Sequence, residues 1–284
     1  MVLESLFNPF VVKRKPWEMF FGGFIYSIVG LLLAYFVFRE IAGILMVFLI
    51  VMATIPMLYV TIKNEEELDL KTDKEWVLLK EHTGVLLYLI FLFLGITTAL
   101  VLSYLFLPTE MSSSIFTLQE KAISNVNQNL QGHITGGAAQ FNFFIRIFMN
   151  NMKVLFFCLI FSLLYGTGAI FILTWNASVI AVAIGGLIKS ELIQVASFTG
   201  LTTISSYAGI TAVGFLRYLT HGIFEITAYF VMGLAGGILS IALIKHNFQE
   251  ERVLVDALDL IFISVGLLIF AGIIEVYLTP QLFS

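Results

Sequence analysis

The sequence predicts an all-α protein, a polytopic integral membrane helical bundle of about seven spans with its N-terminus on the cytoplasmic side. Three observations carry that prediction. Of 284 residues, 59% are hydrophobic and 12% charged, with a mean hydropathy of +0.98, whereas soluble domains carry about 25% charged residues. Apolar runs recur along the chain, each long enough to cross about 30 Å of hydrocarbon as a helix. Of the 15 lysines and arginines, nine fall in loops assigned to the cytoplasmic side and five in outside ones, a moderate bias of the kind short cytoplasmic loops show. This composition excludes a soluble enzyme and a disordered chain. The net charge of −4, with basic residues scattered, leaves no basic field for a polyanion, so nucleic acid is not an expected partner. Cys158 is the one cysteine and lies in an apolar run, which permits neither an intrachain disulfide nor a Cys-rich metal site.

The elements follow in order. Lys13, Arg14 and Lys15 precede the apolar run 17–38, which is too long for a signal-peptide core. It ends at Arg39-Glu40 rather than at a small-residue cleavage site, so it is a spanning helix. A second span covers 41–62, and a mixed-charge cytoplasmic link covers 63–82. Together they make residues 1–82 a two-span N-terminal extension. The remainder, 83–284, forms the core bundle, beginning with a third span at 83–107. The segment 108–152 then lies outside. In its first half, 115–131, Phe116, Ile123, Val126 and Leu130 recur at helical spacing. In its second half, 141–148, the run FNFFIRIF is expected to lie in the membrane interface, with Phe143 and Phe144 in lipid and Arg146 at the headgroups. A fourth span covers 153–174. The stretch 176–219 is too long for one straight crossing and is interrupted by Lys189, Ser190 and Glu191, then by a run rich in Ser, Thr and Gly. An odd number of net crossings there keeps Lys245 and Arg252 inside, so it is taken as one compound crossing with a break. Spans at 221–244 and 254–278 complete a multi-pass protein of the cell membrane, with the C-terminus outside.

Ionisable residues within spans are costly and often functional. His221 and Glu225 are four residues apart and share one helix face. Arg217, Asn151 and Glu275 fall at the same depth under this topology, so the five form a polar intramembrane cluster. Two readings of it stand open: a hydrogen-bonded knot joining helix ends, and a site for a substrate, ion or proton. The run HGIFE supplies one His and one Glu, short of the H-E-x-x-H arrangement and of the three ligands of a catalytic metal. No serine elbow, phosphate loop or His/Cys nucleophile pattern occurs. No catalytic residues, metal or cofactor are therefore expected. Small residues mark close helix approach: Gly222, Gly233, Gly236 and Gly237 in the sixth helix, and Gly166 and Gly168 in the fourth.

The run His221, Gly222, Ile223, Phe224, Glu225, Ile226, Thr227, Ala228, followed by Gly233 and Gly236-Gly237, resembles the HG-x-x-E-x-x-A signature of the stage II sporulation protein M family. Asn150-Asn151 opening the helix after the outside loop, the glycine-rich end at Gly166 and Gly168, and Asn176 opening the next segment extend the resemblance. Thr220 stands where a proline is usual, and Ala177 where a glycine is common. The resemblance implies a core of about five spans over 83–278, with the first two spans an addition like that of longer archaeal members. It also implies a non-enzymatic scaffold or membrane-remodelling role, by analogy with a family member thought to hold peptidoglycan-remodelling enzymes outside the membrane. The partners expected are membrane lipid, an extracytoplasmic protein and a second copy of the chain. The alternative is a transporter or channel for a small solute, ion or proton, built on the broken 176–219 segment and the His221/Glu225 pair.

Overall fold

A backbone in hydrocarbon must satisfy its own hydrogen bonds, and a run of apolar residues does so as a helix. The computed structural model describes residues 15–69, 75–130, 137–165, 168–199, 204–244 and 251–282, and they contain helices and no strands. In chain order these are α1 (Glu18–Val37), α2 (Ala42–Asp69), α3 (Glu75–Phe106), α4 (Thr109–Leu130), α5 (Gly137–Tyr165), α6 (Ala169–Thr199), α7 (Ile204–Ile244) and α8 (Glu251–Ile273). A 3-10 turn at Arg39–Ile41 separates α1 from α2. After α8 the chain widens into a π segment, Ile274–Leu278, and closes with one turn, Thr279–Leu282. Seven of the eight long helices are long and apolar enough to cross a membrane, and α4 is the exception.

Helix α7 is central, with 83% of its span buried. It packs on α8, α5 and α6, while α1 runs along α3 and α3 runs along α6. The α1–α3 contact is set by two facing glycines. A Cβ at Gly23 would stand 2.3 Å from the Leu92 carbonyl oxygen, and one at Gly95 would stand 2.0 Å from that of Phe20. Only hydrogen fits at either position, so the backbones touch. A continuous core that includes Met46, Ile50, Leu92, Ile96 and Leu155 joins these helices. Large side chains such as Phe36, Phe106, Ile244 and Phe262 stand more than seven-tenths exposed, the pattern of a surface that meets lipid.

Helix α4 is amphipathic and lies against α2, α3 and α6. Ser112, Ile115, Phe116 and Gln119 are buried on one face, while Ser113, Glu120, Lys121 and Ser124 are exposed on the other. Tyr104 at the end of α3 is its main anchor. The ring meets Phe116 edge-on at 5.4 Å, the hydroxyl donates to Glu120 at 2.9 Å, and Lys189 of α6 sits 4.1 Å above the ring. Arg39 pairs with Glu110 at 2.5 Å, and Gln119 donates to Ser178 of α6 at 3.2 Å. The end of the bundle carrying these contacts is termed the α4 end below.

Seven spans are present, but three sequence-based boundaries move. The expected span 153–174 is divided, its first part, to Tyr165, closing α5 and its second, from Ala169, opening α6, while 166–167 lie outside the described residues. The run 141–148 is no separate interfacial helix, because it forms the first turns of α5 and continues unbroken into 149–165. The compound crossing at 176–219 is also corrected. Residues 176–199 belong to the single helix α6 and 204–219 to α7, while 200–203 lie outside the described residues. Lys189, Ser190 and Glu191 do not break α6, because they fall in its last turns. There Ser190 donates back to the Leu187 carbonyl and Lys189 reaches over Tyr104, so a charged head leaves the apolar zone without unwinding the helix. Asn176 opens no segment: inside α6 its amide donates to the Ile172 carbonyl at 2.8 Å.

Candidate functional site

Three helix segments converge beneath the α4 end: the middle of α5, the first third of the α7 span and the π segment after α8. The i, i+4 spacing of His221 and Glu225 holds both on one face of α7, turned toward α5 and α8. Asn151 of α5 donates its side-chain amide to the Glu225 carboxylate. The Glu275 carboxyl comes within interaction range of Glu225. Thr279 lies between Thr220 and His221, at 3.4 Å from the Thr220 hydroxyl and 3.5 Å from His221 Nδ1. The Tyr218 and His221 ring centroids are 6.5 Å apart.

The π segment supplies the geometry on the α8 side. Pro280 has no N–H to give to the carbonyl four residues earlier, and its ring would crowd that carbonyl. The helix widens just before it, with the Thr279 N–H bonded to the Ile274 carbonyl five residues back and the Thr279 hydroxyl donating to the same carbonyl at 3.1 Å. This widening turns Glu275 and Thr279 together toward α7, a local irregularity of the kind found at functional sites.

Four of the five expected cluster residues are thus brought together: Asn151, His221, Glu225 and Glu275. Arg217 is placed on α7 one turn before His221, and its side chain lies outside the described residues. Thr279 was missed in the sequence, although it lies four residues after Glu275, on the same helix face. Two facing carboxyls can share a proton, bind a cation or take a neutral donor, and Asn151 provides that donor for Glu225. Among the described residues, no group of three or more His, Cys, Asp and Glu side chains is arranged to hold a metal.

The glycines divide. At Gly233 a Cβ would stand 2.8 Å from that of Ala169, and at Gly236 2.8 Å from the Leu159 carbonyl, so α7 meets α5 and the start of α6 at backbone distance. Gly237 is buried beside them. Gly168 closes the α5–α6 turn, where a Cβ would strike the Phe161 carbonyl at 2.2 Å; Gly166 lies outside the described residues. Gly222 departs from the packing role expected of it, because a Cβ there meets nothing within 4 Å. Phe144 also departs from its expected contact with lipid. It stacks between Phe141 and Phe148 with its ring filling the hollow at Gly272, 2.9 Å from where a Cβ would stand. Phe143 is half-buried and Arg146 exposed.

The family model described as Stage II sporulation protein M matches residues 84–280, a stretch that contains the whole cluster. An uncharacterized protein of Methanocaldococcus jannaschii is 28% identical over 177 residues, which cover 60% of this chain and 84% of the relative. No solved structure matches.

Proposed function

The chain belongs to the stage II sporulation protein M family, and from that premise we propose that it is a non-enzymatic scaffold or membrane-remodelling component of the cell membrane, working through contacts at the α4 end. The observation that carries this reading is α4 itself. Of the eight long helices it is the one not suited to a span, and it is fastened across three spans by Tyr104, Gln119 and the Arg39–Glu110 pair. Its outward face, with Lys121, Ser124, Glu120 and the partly exposed Leu118, is a rigid polar platform held above the bilayer. A platform of fixed geometry suits a docking role. Under the loop-charge rule this end faces outside, where an extracytoplasmic protein would meet it. The cluster below supports the same reading, since Asn151 of α5 bonds Glu225 of α7 and Thr279, in the turn after α8, bonds His221 of α7, bracing the platform's base.

The test is isolation of the tagged protein from its native membranes in mild detergent, for wild type and for a Leu118→Ser/Lys121→Glu variant. A near-stoichiometric protein that accompanies the wild type and is lost from the variant is the expected result. Recovery of the chain with no accompanying protein in either sample would overturn the protein-docking reading.

A further inference from the structure

The signature turn of α7 has a second face, adjoining the polar cluster. Gly222, Ile226 and Tyr218 line a narrow, partly open groove whose other walls are Phe93 and Thr97 of α3 and Ile184 of α6, with about 50 Å³ of free volume inside it. The lining is almost wholly apolar, and its one buried hydroxyl, on Thr97, is already donated to the Phe93 carbonyl, so the groove offers a solute almost nothing to hydrogen-bond. It follows α7 from Tyr218 to Ile226, about 12 Å at 1.5 Å per residue. Phe93, packed edge-on against Phe230 at 6.1 Å, closes the deep end, and Tyr218 stands at the other.

Two further facts bear on what fills it. All three walls belong to helices long and apolar enough to cross a membrane, and a bilayer around such helices presents hydrocarbon to a groove between them. Gly222 is not needed for contact within the chain, since a Cβ there would project into open space, in contrast to Gly233 and Gly236 on the same helix. Its missing side chain leaves room for something from outside the chain. We propose that this groove binds one acyl chain of a bilayer phospholipid, entering sideways, with the headgroup end at Tyr218. An amphipathic tyrosine at that level suits the boundary between chain and headgroup. The HG-x-x-E turn then has divided duties: His221 and Glu225 hold α5 and α8, while Gly222 opens the lipid seat.

The experiment reconstitutes the full chain in phosphatidylcholine vesicles containing a trace of phosphatidylcholine with a diazirine in its acyl chain, then maps the photolabelled residues by mass spectrometry. Labelling is expected to concentrate on Thr97, Ile184 and Ile226 relative to the lipid-facing Phe36 and Phe262. It should be lost in Gly222→Leu, which places a side chain in the groove without touching the cluster. Ile223→Trp, changed at the half-exposed mouth, is the second variant, and each is compared at an unchanged melting temperature. Even labelling of all lipid-facing residues would overturn the proposal, as would groove labelling that survives both variants. Cross-linking through the groove to a second copy of the chain would overturn it in favour of a dimer contact.

Discussion

Asn151 and Glu225 lie 74 residues apart in sequence and meet between two helices. Replacing Asn151 with alanine removes the donor and leaves a carboxylate facing Glu275 without it. A loss of about 1–3 kcal/mol is expected for a buried acceptor left unmatched, seen as a lower melting temperature in detergent. Glu225→Gln puts an amide in place of one of the facing carboxyls and should melt no lower than wild type. An Asn151→Ala protein that melts with the wild type would show that the cluster does not brace these helices. The core of the cluster was legible because i, i+4 spacing and equal depth are properties of the sequence once the topology is drawn. Phe144 and Gly222 were not, since their roles depend on what the neighbouring helix leaves vacant. An aromatic on a span looks the same whether it meets lipid or fills the hollow at Gly272, and a glycine looks the same whether it permits contact or keeps a space.

Among the elements, α4 has the clearest dependence on a single side chain. Phe116 is fully buried between Tyr104 and the bundle, and Phe116→Ala is expected to cost about 3–5 kcal/mol. The loss should fall on α4's docking, because the spans keep their own contacts. Hydrogen exchange should therefore speed up across 109–124 and stay slow in α7; uniform acceleration would mean that α4 is integral to the bundle's folding. The sequence showed α4 through its buried face but misplaced the α5–α6 boundary. Apolar residues run on from 153 to 174 with only the sequence Gly166-Thr167-Gly168 between two helices, too short a signal against that hydropathy. Conversely, Lys189-Ser190-Glu191 looked like a break, because a charged trio reads alike at a helix end and in a loop. Its position beside Tyr104 decides between them, and that depends on a helix more than 80 residues earlier in the chain.

For the molecule as a whole, the orientation of the α4 end is open to a direct measurement. The native Cys158 is fully buried and should stay silent to maleimides, so single exposed cysteines report without background. Lys121→Cys should react with a membrane-impermeant maleimide in intact cells, and Lys15→Cys only after permeabilisation; the reverse pattern would invert the topology. Helix α7 gives that orientation a mechanical meaning. Its 41 residues make a rod of about 60 Å, roughly twice the hydrocarbon thickness, so an untilted α7 extends beyond the hydrocarbon. A helix unbroken from Ile204 to Ile244 behaves as a beam clamped by α5 and α8. A sideways load on its projecting arm becomes a torque at the first clamp, where His221 and Glu225 are fastened. Strain applied outside the bilayer would thus arrive first at the turn that also borders the groove.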